Sequence, residues 1–137
     1  MKITNYVLTN LLISLEKYSE KKLPQRISYA IVKNMVSLSK EYSVYERQLQ
    51  TLLKQYDSHI KMDEHGQIMT TQGGIPIVDD EVSNEFNEQL GELLSIEIDV
   101  DMYYISEDIF DYDNNGIYDP LSAHDIVTLQ SLLCKNE

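Results

Sequence analysis

The chain has 137 residues and a formal net charge of −12, one domain's worth of sequence with room for a modest core. No apolar run approaches the roughly 18–20 residues of a bilayer-spanning helix, so no membrane-spanning helix is expected. A lone cysteine, Cys134, rules out an internal disulfide framework and fits a reducing, cytoplasmic compartment.

Charge is divided along the chain. Residues 1–56 carry nine Lys/Arg against four Glu, a balance of +5, and residues 57–137 carry two Lys against nineteen Asp/Glu, a balance of −17. The division points to a basic helical part and a strongly acidic remainder. It reads either as a solvated acidic surface partly neutralised by the protein's own basic helices, or as an acidic face that meets a basic partner. Direct nucleic-acid binding is disfavoured, because the molecule as a whole repels phosphate and its basic residues are mixed with glutamates.

In chain order, Met1 to Ile3 suits a short edge strand, and Thr4 or Asn5 can cap the helix that follows. Tyr6, Leu8, Leu11, Leu12, Leu15 and Tyr18 supply its apolar face. The opening stretch lacks the small-residue cleavage site of a signal peptide and reads as structure. Pro24 then closes a short connector and is tolerated in a first helical turn. The next helix organises the chain: Ile31, Met35, Leu38, Tyr42, Tyr45, Leu49, Leu52 and Tyr56 follow one another in alternating steps of four and three. That is heptad spacing, which keeps one stripe facing a partner. The short connector predicts an antiparallel helical hairpin over residues 5–56. Its stripe packs inside a monomer or forms the seam of a homodimer, and the Tyr42 and Tyr45 rings are candidate partner contacts.

Residues 57–78 read as a projecting β-hairpin and loop. Ile60 and Met62 alternate with polar residues, Asp63-Glu64-His65-Gly66 turns the chain, and Ile68 resumes the alternation. Pro76 argues against a central strand over residues 75–78. An acidic helix–strand–helix part fills residues 79–137. Its first helix starts at Asp79 or Asp80 and buries Val82, Phe86, Leu90 and Leu93. From Ser95 the period becomes two: Ile96, Ile98, Val100 and Met102 alternate with Glu97, Asp99 and Asp101, predicting a strand with one apolar and one acidic face. Glu97, Asp99, Asp101, Tyr103 and Tyr104 are candidate partner contacts. Ser122 and Asp125 form a variant capping box for a last helix that turns Ile126, Leu129 and Leu133 inward. The fold class expected is α+β, in one domain.

Little chemistry is on display. Asp111, Asp113, Asn115, Gly116 and Asp119 match positions 1, 3, 5, 6 and 9 of an EF-hand loop, but position 12 is Ser122 and Pro120 intrudes. These residues weigh as turn formers, and the loop is a weak calcium candidate only. His59, His65 and His124 lack zinc-site spacing. Three like charges on one strand face, with no basic or apolar setting, do not make a catalytic pair. Neither an enzyme nor a cofactor is expected.

The runs KLPQRISYAIVKNM, EYSVYERQLQTLLKQYD, DEHGQI and FNEQLGELLSIEIDVDMYYI resemble a family of small phage and prophage proteins of Gram-positive bacteria, of unknown function. The resemblance covers roughly residues 1–105, leaves the Asp111–Asp119 loop outside it, and offers no catalytic residues. It implies a phage protein in the host bacterial cytosol. The leading expectation is a non-enzymatic accessory protein that binds a host or phage protein. The alternatives are an acidic nucleic-acid mimic that inhibits a host defence enzyme, of anti-CRISPR or anti-restriction type, and a structural virion component assembling through the heptad helix.

Overall fold

The computed structural model describes residues 1–135. In chain order its elements are β1 (Lys2–Thr4), α1 (Asn5–Ser19), α2 (Gln25–Gln55), a 3₁₀ turn (Asp57–His59), α3 (Asp80–Leu94), β2 (Glu97–Asp99), a second 3₁₀ turn (Glu107–Phe110) and α4 (Ala123–Leu133). The fold is α+β. It divides into two compact units, Met1–Tyr42 with Glu97–Glu137, and Ser43–Ile96. Among the described residues no helix is long and apolar enough to cross a membrane.

The first unit is built on the packing of α1, the start of α2, and α4. Thr4 is extended and its side chain accepts the Val7 amide at 3.3 Å, which caps α1. Leu8, Leu15 and Tyr18 of α1 meet Ile27, Ala30, Ile31 and Leu38 of α2, with Leu129 and Leu133 of α4 closing the core. Tyr6 does not join them, being 59 % exposed. It stands two residues before Leu8, about 200° around a helix, so it shares the outer face with Ile13. Asp119 pins the connector between α1 and α2: its carboxylate accepts the Lys22 amide at 2.6 Å and its own amide donates to the Lys22 carbonyl at 2.8 Å. The capping box at α4 is present as expected, with Ser122 and Asp125 each accepting the other's backbone amide.

The expected strand over residues 96–102 is cut to three residues. β1 and β2 pair antiparallel with Lys2 opposite Asp99, Ile3 opposite Ile98 and Thr4 opposite Glu97. The ladder ends because its partner enters α1 at Asn5, so Ile96 is left 49 % exposed. Beyond β2 the backbone finds other partners. The Val100 amide donates to Met1, and the Ile105 amide to Leu133.

In the second unit Leu52, Leu53, Tyr56, Val78 and Phe86 form the core, with Leu49, Val82 and Leu90 packed on it. Tyr56 and Phe86 meet edge to face at 5.3 Å. The heptad stripe of α2 therefore serves two cores of this chain in succession: Ile31, Met35, Leu38 and Tyr42 pack in the first, Leu49, Leu52 and Tyr56 in the second.

Residues 60–78 are not a simple two-stranded hairpin. Three short extended segments close on one another: Lys61 donates to Ile77, Ile77 to Met69, and Met69 to Lys61. Two matching turns, eight residues apart, join them. Asp63 donates to Gln67 and Thr71 to Ile75, while Gly66 and Gly74 return bonds to Asp63 and Thr71. Gly66 and Gly74 have φ of 76° and 79°, a region glycine enters without steric cost. Pro76 bridges Thr70, where its missing N–H is not needed, because Thr71 and Ile77 carry the flanking bonds.

Candidate functional site

The most organised exposed surface of the first unit starts from a buried polar residue. Asn34 is fully buried on α2, where an unpaired amide would cost about 1–3 kcal/mol. It is satisfied twice by one backbone unit: its Nδ2 donates to the Tyr103 carbonyl at 2.9 Å, and its Oδ1 accepts the Tyr103 amide at 2.7 Å. The side chain thus does for residue 103 what a neighbouring strand would do, and fixes where the Tyr103 ring emerges. That ring meets Tyr29 edge to face at 5.6 Å. Lys33, one turn beyond Tyr29 on α2, holds its ammonium 5.6 Å from the Tyr29 ring and 5.1 Å from the Tyr103 ring. Tyr29, Tyr103 and Tyr104 remain 55 %, 38 % and 39 % exposed. Val32 and Val36, exposed on the same side of α2, line a shallow apolar groove with Ser19, Met35, Ser39 and Lys40. Pre-ordered aromatics beside a cation and an apolar groove are the ingredients of protein-contact hot spots.

The other residues singled out in the sequence fare differently. Tyr45 is buried, 4 % exposed, so its ring is core and is not offered to a partner. Tyr42 packs, half-buried, against the first core. Glu97, Asp99 and Asp101 are all exposed, but Asp99 lies 3.1 Å from the Met1 α-ammonium and faces Lys2 across the ladder. The division of charge by sequence does not survive folding either. The first unit carries eight Lys/Arg against thirteen Asp/Glu, net −5, and the second three against ten, net −7. The first 42 residues and the acidic residues from Glu97 onward belong to one unit, so Lys2, Lys17, Lys21, Lys22, Arg26, Lys33 and Lys40 are grouped with most of the C-terminal carboxylates.

The loop from Asp111 to Asp119 is organised as a turn. Asn114 accepts the Tyr118 amide through its side chain, Asn115 and Gly116 adopt φ of 50° and 74°, and Asp119 is spent on Lys22. Its carboxylates do not converge. Among the described residues the cluster that could hold a metal ion is instead His59, Asp79 and Glu81, which no sequence spacing announced. Cys134 is buried, and burial, with Glu107 second, pushes its thiol up, away from the reactive thiolate.

Compared with known proteins, the chain matches no family model, no curated protein and no solved structure.

Proposed function

We propose that this protein is a non-enzymatic phage or prophage accessory protein that acts in the host bacterial cytosol by binding another protein. The observation that carries the reading is the Tyr29–Lys33–Tyr103 cluster, held in place by the buried Asn34 clamp. Ordering the rings before contact lowers the entropy lost on binding, and tyrosine is a favoured interface anchor. The resemblance to phage proteins supplies the biological setting. In this reading α1 and α2 act as an antiparallel hairpin that presents the rings and the Val32–Val36 groove. A second reading, the nucleic-acid mimic, is favoured by the exposure of Glu97, Asp99 and Asp101.

One experiment separates the two. The unmodified chain, Tyr29→Ala with Tyr103→Ala, and Glu97→Lys with Asp99→Lys and Asp101→Lys are used as baits in host lysate, with and without competing DNA. Loss of the captured protein with the tyrosine pair alone supports protein binding. Loss with the charge reversals alone, together with competition by DNA, overturns it in favour of the mimic.

A further inference from the structure

We propose that His59, Asp79 and Glu81 form a site for a divalent transition-metal ion of zinc type. His59 Nδ1 lies 3.5 Å from Asp79 Oδ2 and 3.4 Å from Glu81 Oε1, and the three ligand atoms all lie within 4.8 Å of one another. Both distances exceed the roughly 2.7–3.2 Å of a well-formed N–H···O bond. They match instead the edge of a metal tetrahedron: Zn–N and Zn–O bonds of about 2.0–2.2 Å at tetrahedral angles put neighbouring ligand atoms about 3.3–3.5 Å apart.

A separate observation points the same way. Asp79 occupies the N-cap of α3, where an aspartate ordinarily accepts an amide of the first turn, yet its side chain makes no capping bond. Its carboxylate turns to the imidazole instead. The backbone holds the set together, since the Asp79 amide donates to the His59 carbonyl at 2.8 Å and Ile60 bridges Val78. Glu81 stands in the first turn of α3. Charge is matched as well. Lys61 takes the intervening Asp80 at 3.1 Å, leaving the Asp79 and Glu81 carboxylates to balance a dication against the positive end of α3.

An imidazole nitrogen with two carboxylates suits zinc and its first-row neighbours better than calcium or magnesium, which take oxygen. Three protein ligands leave a fourth position, and the Glu81 and Asp79 side chains, 72 % and 44 % exposed, leave it open to water.

The test is calorimetric titration of the full chain with zinc chloride near neutral pH, repeated with His59→Gln, Asp79→Asn, and His65→Gln paired with His124→Gln. Asparagine caps helices as well as aspartate does, so Asp79→Asn removes the ligand while sparing α3, and circular dichroism checks this. The expected result is one ion per chain, weakened by each of His59→Gln and Asp79→Asn about 10-fold or more, since loss of even an outer-shell partner costs about 10–100-fold. The paired control keeps full affinity, and cobalt gives the intense visible absorption of a four-coordinate site. Absence of stoichiometric uptake, uptake retained by His59→Gln, or uptake abolished by the paired control overturns the proposal.

Discussion

Asn34→Ala tests the clamp on which the aromatic surface depends. The substitution removes both partners of the Tyr103 backbone, whose bonds at 2.9 and 2.7 Å span 69 residues of sequence. Each group left unsatisfied costs about 1–3 kcal/mol. Because Tyr103 is 38 % exposed, water replaces part of this, and the expected loss is about 2–4 kcal/mol in urea denaturation. That is a large share of the roughly 5–15 kcal/mol by which a domain is stable. Asn34→Asp is the sharper companion. It keeps the acceptor for the Tyr103 amide but sets a buried carboxylate against the carbonyl, which raises its folded pKa above about 3.9. A raised pKa stabilises below the unfolded value and is lost as pH rises, so this variant is worst at neutral pH and recovers in acid. If Asn34→Ala unfolds within about 0.5 kcal/mol of the unmodified chain, the size of an ordinary surface change, the clamp is not holding Tyr103 and the argument for a pre-ordered surface fails.

Leu38 is fully buried in the first core, so Leu38→Ala should cost about 2–5 kcal/mol through the cavity it leaves. Leu49 is only half-buried, and its alanine variant should cost about 1–2 kcal/mol in the same urea titration. Asp125 is held below the usual carboxylate range, first by the Ser122 amide and then by the Tyr18 hydroxyl. A depressed pKa contributes stability above about pH 4 that is lost as pH falls through the folded value, so Asp125→Asn should flatten the acid limb of a melting-temperature profile. Tyr18 is shifted upward, chiefly by burial and then by Asp125, and its contribution is lost only as the solution becomes strongly alkaline.

Local signals were legible in the sequence wherever one element decides its own form. The Thr4 cap and the Ser122–Asp125 capping box rest on bonds between residues three apart, and the α2 stripe and the start of α3 show in residue spacing and first-turn charge within one helix. Features set by distant partners were not. β2 stops at Asp99 because β1 is three residues long, and alternation in residues 96–102 carries no record of that. Asn34 looks like any polar residue on a helix until Tyr103 is brought beside it. His59 and Asp79 meet only because the three segments between residues 60 and 78 close into a ring. The nearest sequence trace of that closure is the paired Asp63-Glu64-His65-Gly66 and Thr71-Gln72-Gly73-Gly74 turns, whose eight-residue offset is visible once it is sought.

The acidic face of β2 yields a last prediction, in which charge density decides between the two functional readings. Glu97 and Asp99 stand two residues apart on β2, about 6.6 Å of strand per charge, and the exposed Asp101 lies beyond the end of the strand. Duplex DNA carries one charge per about 1.7 Å, so the face is roughly fourfold more dilute, and Asp99 is already shared with the Met1 ammonium. Were a partner bound through all three carboxylates as phosphate equivalents, a slope of about −0.9 per charge would weaken it about 40-fold between 50 and 200 mM salt. With Asp99 discounted the change is about 12-fold. An interface led by Tyr29 and Tyr103 buries rings whose contribution is not screened, and should change less than about threefold over the same range. The affinity of the captured partner, measured at both salt concentrations for the unmodified chain and the triple lysine variant, gives the answer. A steep slope that the charge reversal removes would refute the tyrosine-led interface; a shallow slope that it leaves unchanged is expected.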